Sequence, residues 1–215
     1  MALTLFAIGA SAQSRQTKEE YIDKYKHIAI DHMERYGIPA SITLAQGILE
    51  SDSGNSNLAR RSNNHFGIKC KKGWKGDKVY HTDDAPDECF RKYDTVEESY
   101  QDHADFLDQS PRYDSLFAYS SSDYHSWARG LKAAGYATAP DYAQRLTKII
   151  EDNKLYLFDE DNGAALYADV QAAIDAAKAE GAELVIALGH LGDDPASQPW
   201  TSEEVIANTT GLDAF

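Results

Sequence analysis

The stretch Leu44-Ala45-Gln46-Gly47-Ile48-Leu49-Glu50-Ser51 places a single carboxylate at the end of an apolar helix. Pro39 is expected to open this helix, because proline suits a first helical position, and Gly54 is expected to end it. The predicted core face carries apolar residues at helical spacing, namely Ile42, Ala45, Ile48 and Leu49. Since Glu50 directly follows two of them, we expect partial desolvation, which favours a protonated carboxyl group and suits a general acid. A solvated acid at a helix end is the alternative.

Amphipathic helices are predicted on both sides of this stretch. Before it, apolar residues recur at helical spacing from Thr17 to Tyr36. Thr17 and Glu20 form a capping-box pattern, and Gly37 is expected to stop the helix. Helical spacing returns later in the chain, at residues 96–107, 122–134 and 142–150.

Three short strand-like runs lie between these helices, at residues 66–70, 78–81 and 89–93. Glycine and proline turns separate them, which predicts a small antiparallel sheet and an α+β fold. Cys70 and Cys89 lie on the first and last runs. If those strands pair, a disulfide is possible and would stabilise the fold by about 3 kcal/mol in the loop-entropy model. Two free, half-buried thiols are the alternative.

The composition excludes several classes of protein. Hydrophobic residues make up 42% of the 215 residues and charged residues 26%, which predicts a packed core. A net charge of -14 argues against nucleic acid as a partner, because phosphate binding needs a dense basic face. No apolar run is long enough to span a membrane. Two cysteines cannot form a four-thiolate zinc site, and we expect no metal or organic cofactor.

The N-terminus is typical of a secretion signal that lacks its basic leading region. A short apolar run ends in Ala10-Ser11-Ala12, a small-x-small pattern that signal peptidase accepts. We therefore expect residues 1–12 to be a truncated signal peptide and the mature protein to be exported, to the periplasm, the cell surface or the medium. An ordinary buried helical turn is the alternative for this run.

Four further motifs follow Glu50 in a fixed order. They are Ser51-Asp52-Ser53-Gly54, Asn63-Asn64-His65-Phe66-Gly67, Phe90-Arg91-Lys92-Tyr93 and Gly135-Tyr136-Ala137-Thr138-Ala139-Pro140-Asp141-Tyr142. Over roughly residues 18–158 this set resembles glycoside hydrolase family 73, the peptidoglycan glucosaminidases. The resemblance implies a lysozyme-like fold, with a mainly helical lobe, a small β lobe and a cleft between them. It also implies a monomeric endo-β-N-acetylglucosaminidase, a hydrolase that cuts the β-1,4 bond between N-acetylglucosamine and N-acetylmuramic acid.

The resemblance assigns roles to individual residues. The family's acid falls on Glu50 and its assisting tyrosine on Tyr136. Residues expected near the cleft and the substrate are Asn63, Asn64, Phe66 and Tyr142. For the two asparagines, simple turn chemistry is an equal alternative, because asparagine tolerates a left-handed backbone. This sequence has Ala139 where the family usually has aspartate, a change expected to affect a turn or cap.

The second carboxylate of the family falls in a variable stretch, residues 81–88. Asp83 matches its position best when counted back from Phe90, and Asp84 is the next candidate, as a catalytic or substrate-binding acid. Asp87 and Glu88 remain open. In the mechanism that we favour, Glu50 protonates the leaving oxygen and a loop carboxylate activates water. Assistance by the substrate's own acetamido group is the alternative.

Residues 159–215 differ in composition from the rest of the chain. They hold 12 acids and one base, Lys178, whereas residues 1–158 hold 23 acids and 20 bases. A helix at 172–179 and a strand at 183–188 are predicted here. Part of this tail resembles the metallophosphoesterase domain of bacterial 5'-nucleotidases, in which His190 falls on a metal-ligand position. One imidazole cannot hold a two-metal site, so we expect a poorly packed fragment without phosphoesterase activity appended to a glucosaminidase domain at 13–158.

Two rival functions share the predicted fold. A lytic transglycosylase needs the acid at Glu50 and no second carboxylate, and it leaves 1,6-anhydro products. A wall-binding module that has lost catalysis binds peptidoglycan without turnover. Product analysis separates both from a hydrolase.

Overall fold

The computed structural model describes residues 15–71, 73–82, 86–159, 164–185 and 202–212. Its α-helices are α1 (Lys18–Tyr36), α2 (Ala40–Ser51), α3 (Asn57–Ser62), α4 (Val96–Asp108), α5 (Tyr124–Ala133), α6 (Tyr142–Asp152), α7 (Ala164–Ala179) and α8 (Ser202–Asn208). Strands β1 (Lys78–His81) and β2 (Glu88–Arg91) form an antiparallel pair, and 3₁₀ helices span Pro111–Ala118 and Leu155–Asp159. The predicted α+β class is confirmed. The predicted signal segment, 1–12, lies outside the described residues.

Helix α1 begins and ends as its sequence predicts. The Glu20 backbone N–H donates to the Thr17 hydroxyl at 3.1 Å, and the Thr17 N–H donates to the Glu20 carboxylate at 2.8 Å. These two bonds form the expected capping box. Gly37 ends the helix with φ 77°, a left-handed conformation that glycine adopts without strain. The buried face of α1 then packs on α2.

Helix α2 is the central element of the helical lobe, and ten of its twelve residues are buried. It starts at Ala40, with Pro39 as the preceding cap, and it ends at Ser51 rather than at Gly54. Its N-terminus is held by the buried carboxylate of Asp159, which accepts from the Ser41 N–H at 2.8 Å and from the Ser41 hydroxyl at 2.6 Å. Asp159, the first residue of the predicted tail, therefore contacts the helical lobe directly.

Gly47 has no room for a side chain. A Cβ there would lie 2.4 Å from the Tyr21 hydroxyl oxygen and 3.1 Å from that of Tyr100. Both tyrosines are fully buried, and their hydroxyls are hydrogen-bonded to each other at 2.9 Å. We expect Gly47→Ala to lower the free energy of unfolding by roughly 1–3 kcal/mol, as overpacking does, although alanine favours helix by about 1 kcal/mol. Urea unfolding measures this difference.

The Tyr21 hydroxyl also provides the control for that measurement. Tyr21→Phe removes the atom that the new methyl group would meet, so Gly47→Ala should cost less in the Tyr21→Phe background than in the wild type. A Gly47→Ala protein as stable as the wild type would contradict the close contact seen here.

The β lobe is a two-stranded hairpin extended by one bridge. Val79 pairs with Phe90 in its register, and Lys69 forms an isolated bridge to Phe90. The first predicted run therefore joins the sheet only at this point, and it does not form a third strand. The predicted disulfide is confirmed, because Cys70 and Cys89 are bonded, with a sequence separation of 19. The covalent link fastens the run at 66–70 to β2.

The tail contains two helices that contact each other. Ile174 on α7 and Val205 on α8 are buried. The side-chain amide of Gln171 donates to the Thr210 carbonyl at 3.0 Å and accepts from the Thr210 N–H at 2.7 Å. Within its described residues, this part of the chain has packed side chains and local hydrogen bonds.

Predictions for the tail are met in part. The helix expected at 172–179 lies inside α7. Residues 183–185 are in no strand, and the rest of the expected strand lies outside the described residues, as does His190. Among the parts of the chain that the structure describes, no helix combines the length and apolar composition needed to cross a membrane.

Candidate active site

Glu50 lies on the last turn of α2 and is exposed. The structure favours the solvated alternative for the residue as a whole, because the helix ends one residue later and its last turn reaches the surface. Partial desolvation of the carboxylate itself stays a prediction. The carboxylate is nevertheless held in place: the Tyr142 hydroxyl donates to Glu50 Oε1 at 3.0 Å. Tyr142 begins α6, so this bond joins the end of one helix to the start of another.

Tyr142 is 2% exposed, and its hydroxyl group has a second partner. The side-chain amide of Gln46, one turn before Glu50 on α2, donates from Nε2 to the Tyr142 oxygen at 2.9 Å. Burial raises the pKa of Tyr142 well above its ordinary value, and the negative charge of Glu50 raises it further. Tyr142 therefore stays protonated and acts as a donor to the carboxylate.

His103, on α4, is the next member of this chain of hydrogen bonds. Its Nε2 lies 3.1 Å from Gln46 Oε1. The imidazole is fully buried and stacks on Phe66, with ring centres 4.0 Å apart. Burial lowers the pKa of His103 to about 3, so the ring is neutral at physiological pH. A run of hydrogen bonds thus connects the core to Glu50 through Gln46 and Tyr142.

Tyr136 lies beside this chain, and its ring stacks on that of Tyr142 at 5.8 Å. Its hydroxyl oxygen is buried and has no hydrogen-bond partner among the described residues. Burial raises the pKa of Tyr136 well above its ordinary value, with further contributions from Tyr142 and from the charge of Glu50. A buried hydroxyl without a partner is costly, and this oxygen has almost no surface open to solvent.

Aromatic rings and cations extend the site beyond Tyr136. The rings of Phe106 and Tyr113 lie 6.3 and 6.2 Å from that of Tyr136. Lys71 Nζ lies 4.3 Å above the Phe106 ring, and the Arg112 guanidinium lies 5.9 Å from the Tyr113 ring. Desolvation, followed by the positive charges of Arg91 and Arg112, lowers the pKa of Lys71. On this side of the site, aromatic rings are therefore flanked by the positive charges of Lys71 and Arg112.

Asn63 and Asn64 are occupied by the backbone. Asn63 caps α3 with φ 54°, and its amide donates to the Tyr93 carbonyl at 3.0 Å. Asn64 is 1% exposed; it donates to the Ile68 and Arg91 carbonyls and accepts from the Ile68 N–H. These bonds fasten the β lobe to α3, as turn chemistry predicts.

Phe66 is 3% exposed and supports the His103 ring from below. For both Phe66 and Asn64, the expectation of direct substrate contact is corrected, because neither side chain has enough surface to meet a ligand. Both residues instead support the positions of neighbouring groups in the interior.

The second carboxylate is not located. Asp83 and Asp84, the preferred candidates, lie outside the described residues. Asp87 is exposed in a left-handed turn with φ 53°. Glu88 is ion-paired with Lys69 at 2.8 Å. No cluster of three or more His, Cys, Asp or Glu side chains within the described ranges is arranged to hold a metal ion.

Gln46 and His103 are the site residues that the sequence analysis missed. Gln46 stands one turn before Glu50, so the i, i+4 spacing on α2 offered a signal for it. His103 is 57 residues from Gln46 in sequence, and its spacing in α4 indicated only a core position.

The sequence was compared with known families. It matches the glucosaminidase family, described as mannosyl-glycoprotein endo-beta-N-acetylglucosaminidase, over residues 26–155. The chain belongs to this family. The resemblance on which the site assignments rest is thereby confirmed for the region that carries Glu50, Tyr136 and Tyr142.

Individual relatives of the chain include a bacterial exo-glucosaminidase and bacterial peptidoglycan hydrolases. The exo-glucosaminidase LytG of Bacillus subtilis is 34% identical over 178 residues, which cover 78% of this chain and 62% of LytG. The peptidoglycan hydrolase FlgJ of Vibrio parahaemolyticus is 33% identical over 142 residues, covering 61% of this chain and 46% of FlgJ. The chain thus spans only about half to three fifths of the length of these relatives.

Solved structures of glucosaminidase relatives share the fold. A peptidoglycan hydrolase from Sphingomonas sp. A1 superposes with a TM-score of 0.58 at 34% identity, covering 66% of this chain and 92% of that structure. The glycoside hydrolase domain of Salmonella typhimurium FlgJ superposes with a TM-score of 0.55 at 27% identity, covering 77% and 99%. The lysozyme-like arrangement predicted from the sequence is confirmed.

Proposed function

We propose that this protein is an exported endo-β-N-acetylglucosaminidase, a peptidoglycan hydrolase that cuts the β-1,4 bond between N-acetylglucosamine and N-acetylmuramic acid. One observation carries the proposal: Glu50 is exposed at the end of α2 while Tyr142 holds one of its oxygens at 3.0 Å. A carboxyl group that is both accessible and oriented suits proton transfer to a glycosidic oxygen. Relatives named as wall hydrolases and glucosaminidases support the same substrate.

In the proposed reaction, Glu50 gives its proton to the leaving glycosidic oxygen as the bond from that oxygen to the anomeric carbon breaks. A water oxygen forms the new bond to the anomeric carbon, and its proton passes to a base. We assign the base to a carboxylate of the 81–88 loop, with Asp83 the first candidate and Asp84 the second. Assistance by the substrate acetamido group is the alternative route, and it needs no loop acid.

The surroundings of Glu50 suit a sugar polymer with anionic groups. Tyr136, to which the resemblance assigns an assisting role, packs on the ring of Tyr142, the residue that holds Glu50. Phe106 is partly exposed and offers an apolar face to a sugar ring, while the buried Tyr113 packs against the Phe106 ring. Lys71 and Arg112 add positive charge beside them, which favours the carboxylates of wall peptides. The positive charge of Lys71 and Arg112 contrasts with the protein as a whole, which is strongly acidic with a net charge of -14.

The products of digestion test the proposal. The full chain is incubated with purified peptidoglycan, the released fragments are reduced with borohydride, and their masses are determined. We expect N-acetylglucosamine at the reducing ends, because the hydrolase adds water to that sugar's anomeric carbon. Fragments of two or more sugars indicate endo cleavage, as proposed, whereas free N-acetylglucosamine indicates exo cleavage and would overturn the endo assignment.

Two other outcomes of the same digestion would reject the proposal. Fragments that end in 1,6-anhydro sugars would identify a lytic transglycosylase. Co-sedimentation of a folded chain with peptidoglycan, without any released fragment, would identify a wall-binding module.

A further inference from the structure

We propose that Gln46 is a positioning residue that determines which oxygen of Glu50 carries the catalytic proton. The inference rests on the proposed function, in which Glu50 is the acid. It is drawn from the hydrogen-bonded chain His103–Gln46–Tyr142–Glu50, whose first three members are buried. Gln46 itself touches neither the substrate nor the solvent.

The direction of each hydrogen bond follows from the chemistry of Gln46. Its Nε2 can only donate, and it donates to the Tyr142 oxygen at 2.9 Å. The Tyr142 hydroxyl has one proton. With its oxygen already accepting from Gln46, that proton is directed to Glu50 Oε1, 3.0 Å away. The amide of Gln46 thereby fixes the tyrosine as a donor to the carboxylate.

His103 fixes the orientation of the Gln46 amide. Gln46 Oε1 can only accept, so the proton of the neutral imidazole lies on Nε2, 3.1 Å away. His103 Nδ1 is buried and has no hydrogen-bond partner among the described residues, which agrees with an unprotonated nitrogen there. Rotating the amide by 180° would set its NH₂ group against the imidazole N–H and its oxygen against Tyr142. Both bonds would then be lost or reversed.

For Glu50, these hydrogen bonds determine which carboxyl oxygen carries the proton. Because Oε1 accepts from Tyr142, the proton of the acid form is carried by Oε2. A proton on Oε1 would face the hydroxyl proton of Tyr142. The buried chain therefore selects one of two oxygens, and it limits rotation of an exposed carboxyl group that would otherwise sample several rotamers.

A double-mutant cycle tests this role. Gln46→Met keeps the length of the side chain and removes both polar atoms, and Tyr142→Phe removes the hydroxyl. We expect each single change to lower kcat on peptidoglycan roughly 10- to 100-fold, with KM little changed. We expect the double variant to lose no more than the worse of the two, because both changes break the same chain.

The matched control is Tyr100→Phe. It also removes a buried hydrogen bond, from Tyr100 to Tyr21 at 2.9 Å, and this bond is not one of those that join His103, Gln46, Tyr142 and Glu50. We expect its kcat to equal that of the wild type even if its stability falls. Losses in the double variant that equal the product of the single losses, or an equal loss in Tyr100→Phe, would overturn the positioning role.

A second readout does not depend on activity. Nitrogen-15 NMR of the full chain reports the tautomer of His103 directly, and the expected result is a proton on Nε2 and none on Nδ1. A proton on Nδ1 would overturn the proposal, because Gln46 could then not be oriented as described. If this tautomer were observed but the wild type released no sugar, the proposed hydrolase function would be rejected. The hydrogen bonds from His103 to Glu50 would still be supported.

Discussion

Replacing Glu50 with glutamine is expected to lower the rate of wall digestion by roughly 1000-fold, within the range that a general acid contributes. An amide keeps the size of the side chain and leaves an oxygen that accepts from Tyr142, but it cannot give up a proton. The local structure should therefore survive while the chemistry is lost. The measurement is kcat for fragment release by the full chain, with the unfolding midpoint of each variant recorded beside it.

Asp52→Asn is the matched control for this change. Asp52 lies two residues after Glu50, is also exposed, and is paired with Arg15 at 2.6 Å. We expect its activity to match that of the wild type, because an acid at this position touches none of the groups that hold Glu50. If Glu50→Gln retained activity within tenfold of the wild type, another residue would have to be the acid.

The parts of the fold that sequence reasoning predicted are those that local chemistry decides. The capping box of Thr17 and Glu20 satisfies backbone donors three residues apart, so a short window of sequence reveals it. The spacing of α4 and α6 likewise predicted their positions to within about two residues. The chain has only two cysteines, and placing Cys70 and Cys89 on neighbouring strand-like runs was enough to predict the disulfide between them.

The parts that sequence reasoning missed depend on contacts between distant segments. Glu50 was expected to be partly desolvated by its apolar neighbours, and the exposure of its side chain depends on where α2 ends. Asn64 is fixed by carbonyl groups as far away as Arg91, and an isolated Asn-Asn pair gives no sign of them. The role of His103 emerges only when α4 packs beside α2 and brings the imidazole to Gln46.

Acidification below about pH 6.5 is expected to destabilise the fold through His65 and His103. Burial lowers the pKa of His65 to about 4 and that of His103 to about 3, whereas both titrate near pH 6.5 in the unfolded chain. Between pH 6.5 and 4 the unfolded state therefore binds more protons than the folded state. The stabilisation is fully present above pH 6.5 and is lost as the pH falls, at about 1.4 kcal/mol per pH unit for each histidine.

Urea unfolding at several values between pH 7 and 4.5 measures this loss, and His65→Gln isolates one histidine. His65 Nδ1 lies 2.9 Å from the Tyr21 hydroxyl, and a glutamine oxygen offers a similar acceptor without titrating. We expect the slope of stability against pH to fall by about 1.4 kcal/mol per pH unit in this variant.

The difference in slope between variants is the decisive quantity, because the acidic side chains titrate alike in all of them and cancel. Equal slopes for the wild type and His65→Gln would show that His65 is protonated inside the folded protein, contrary to its buried environment. A reduced slope would show that the interior beneath α2 tolerates His65 only as a neutral ring. The contact between His65 and Tyr21 depends on that neutral state, because the Tyr21 hydroxyl already accepts from Tyr100 and donates its own proton to His65 Nδ1.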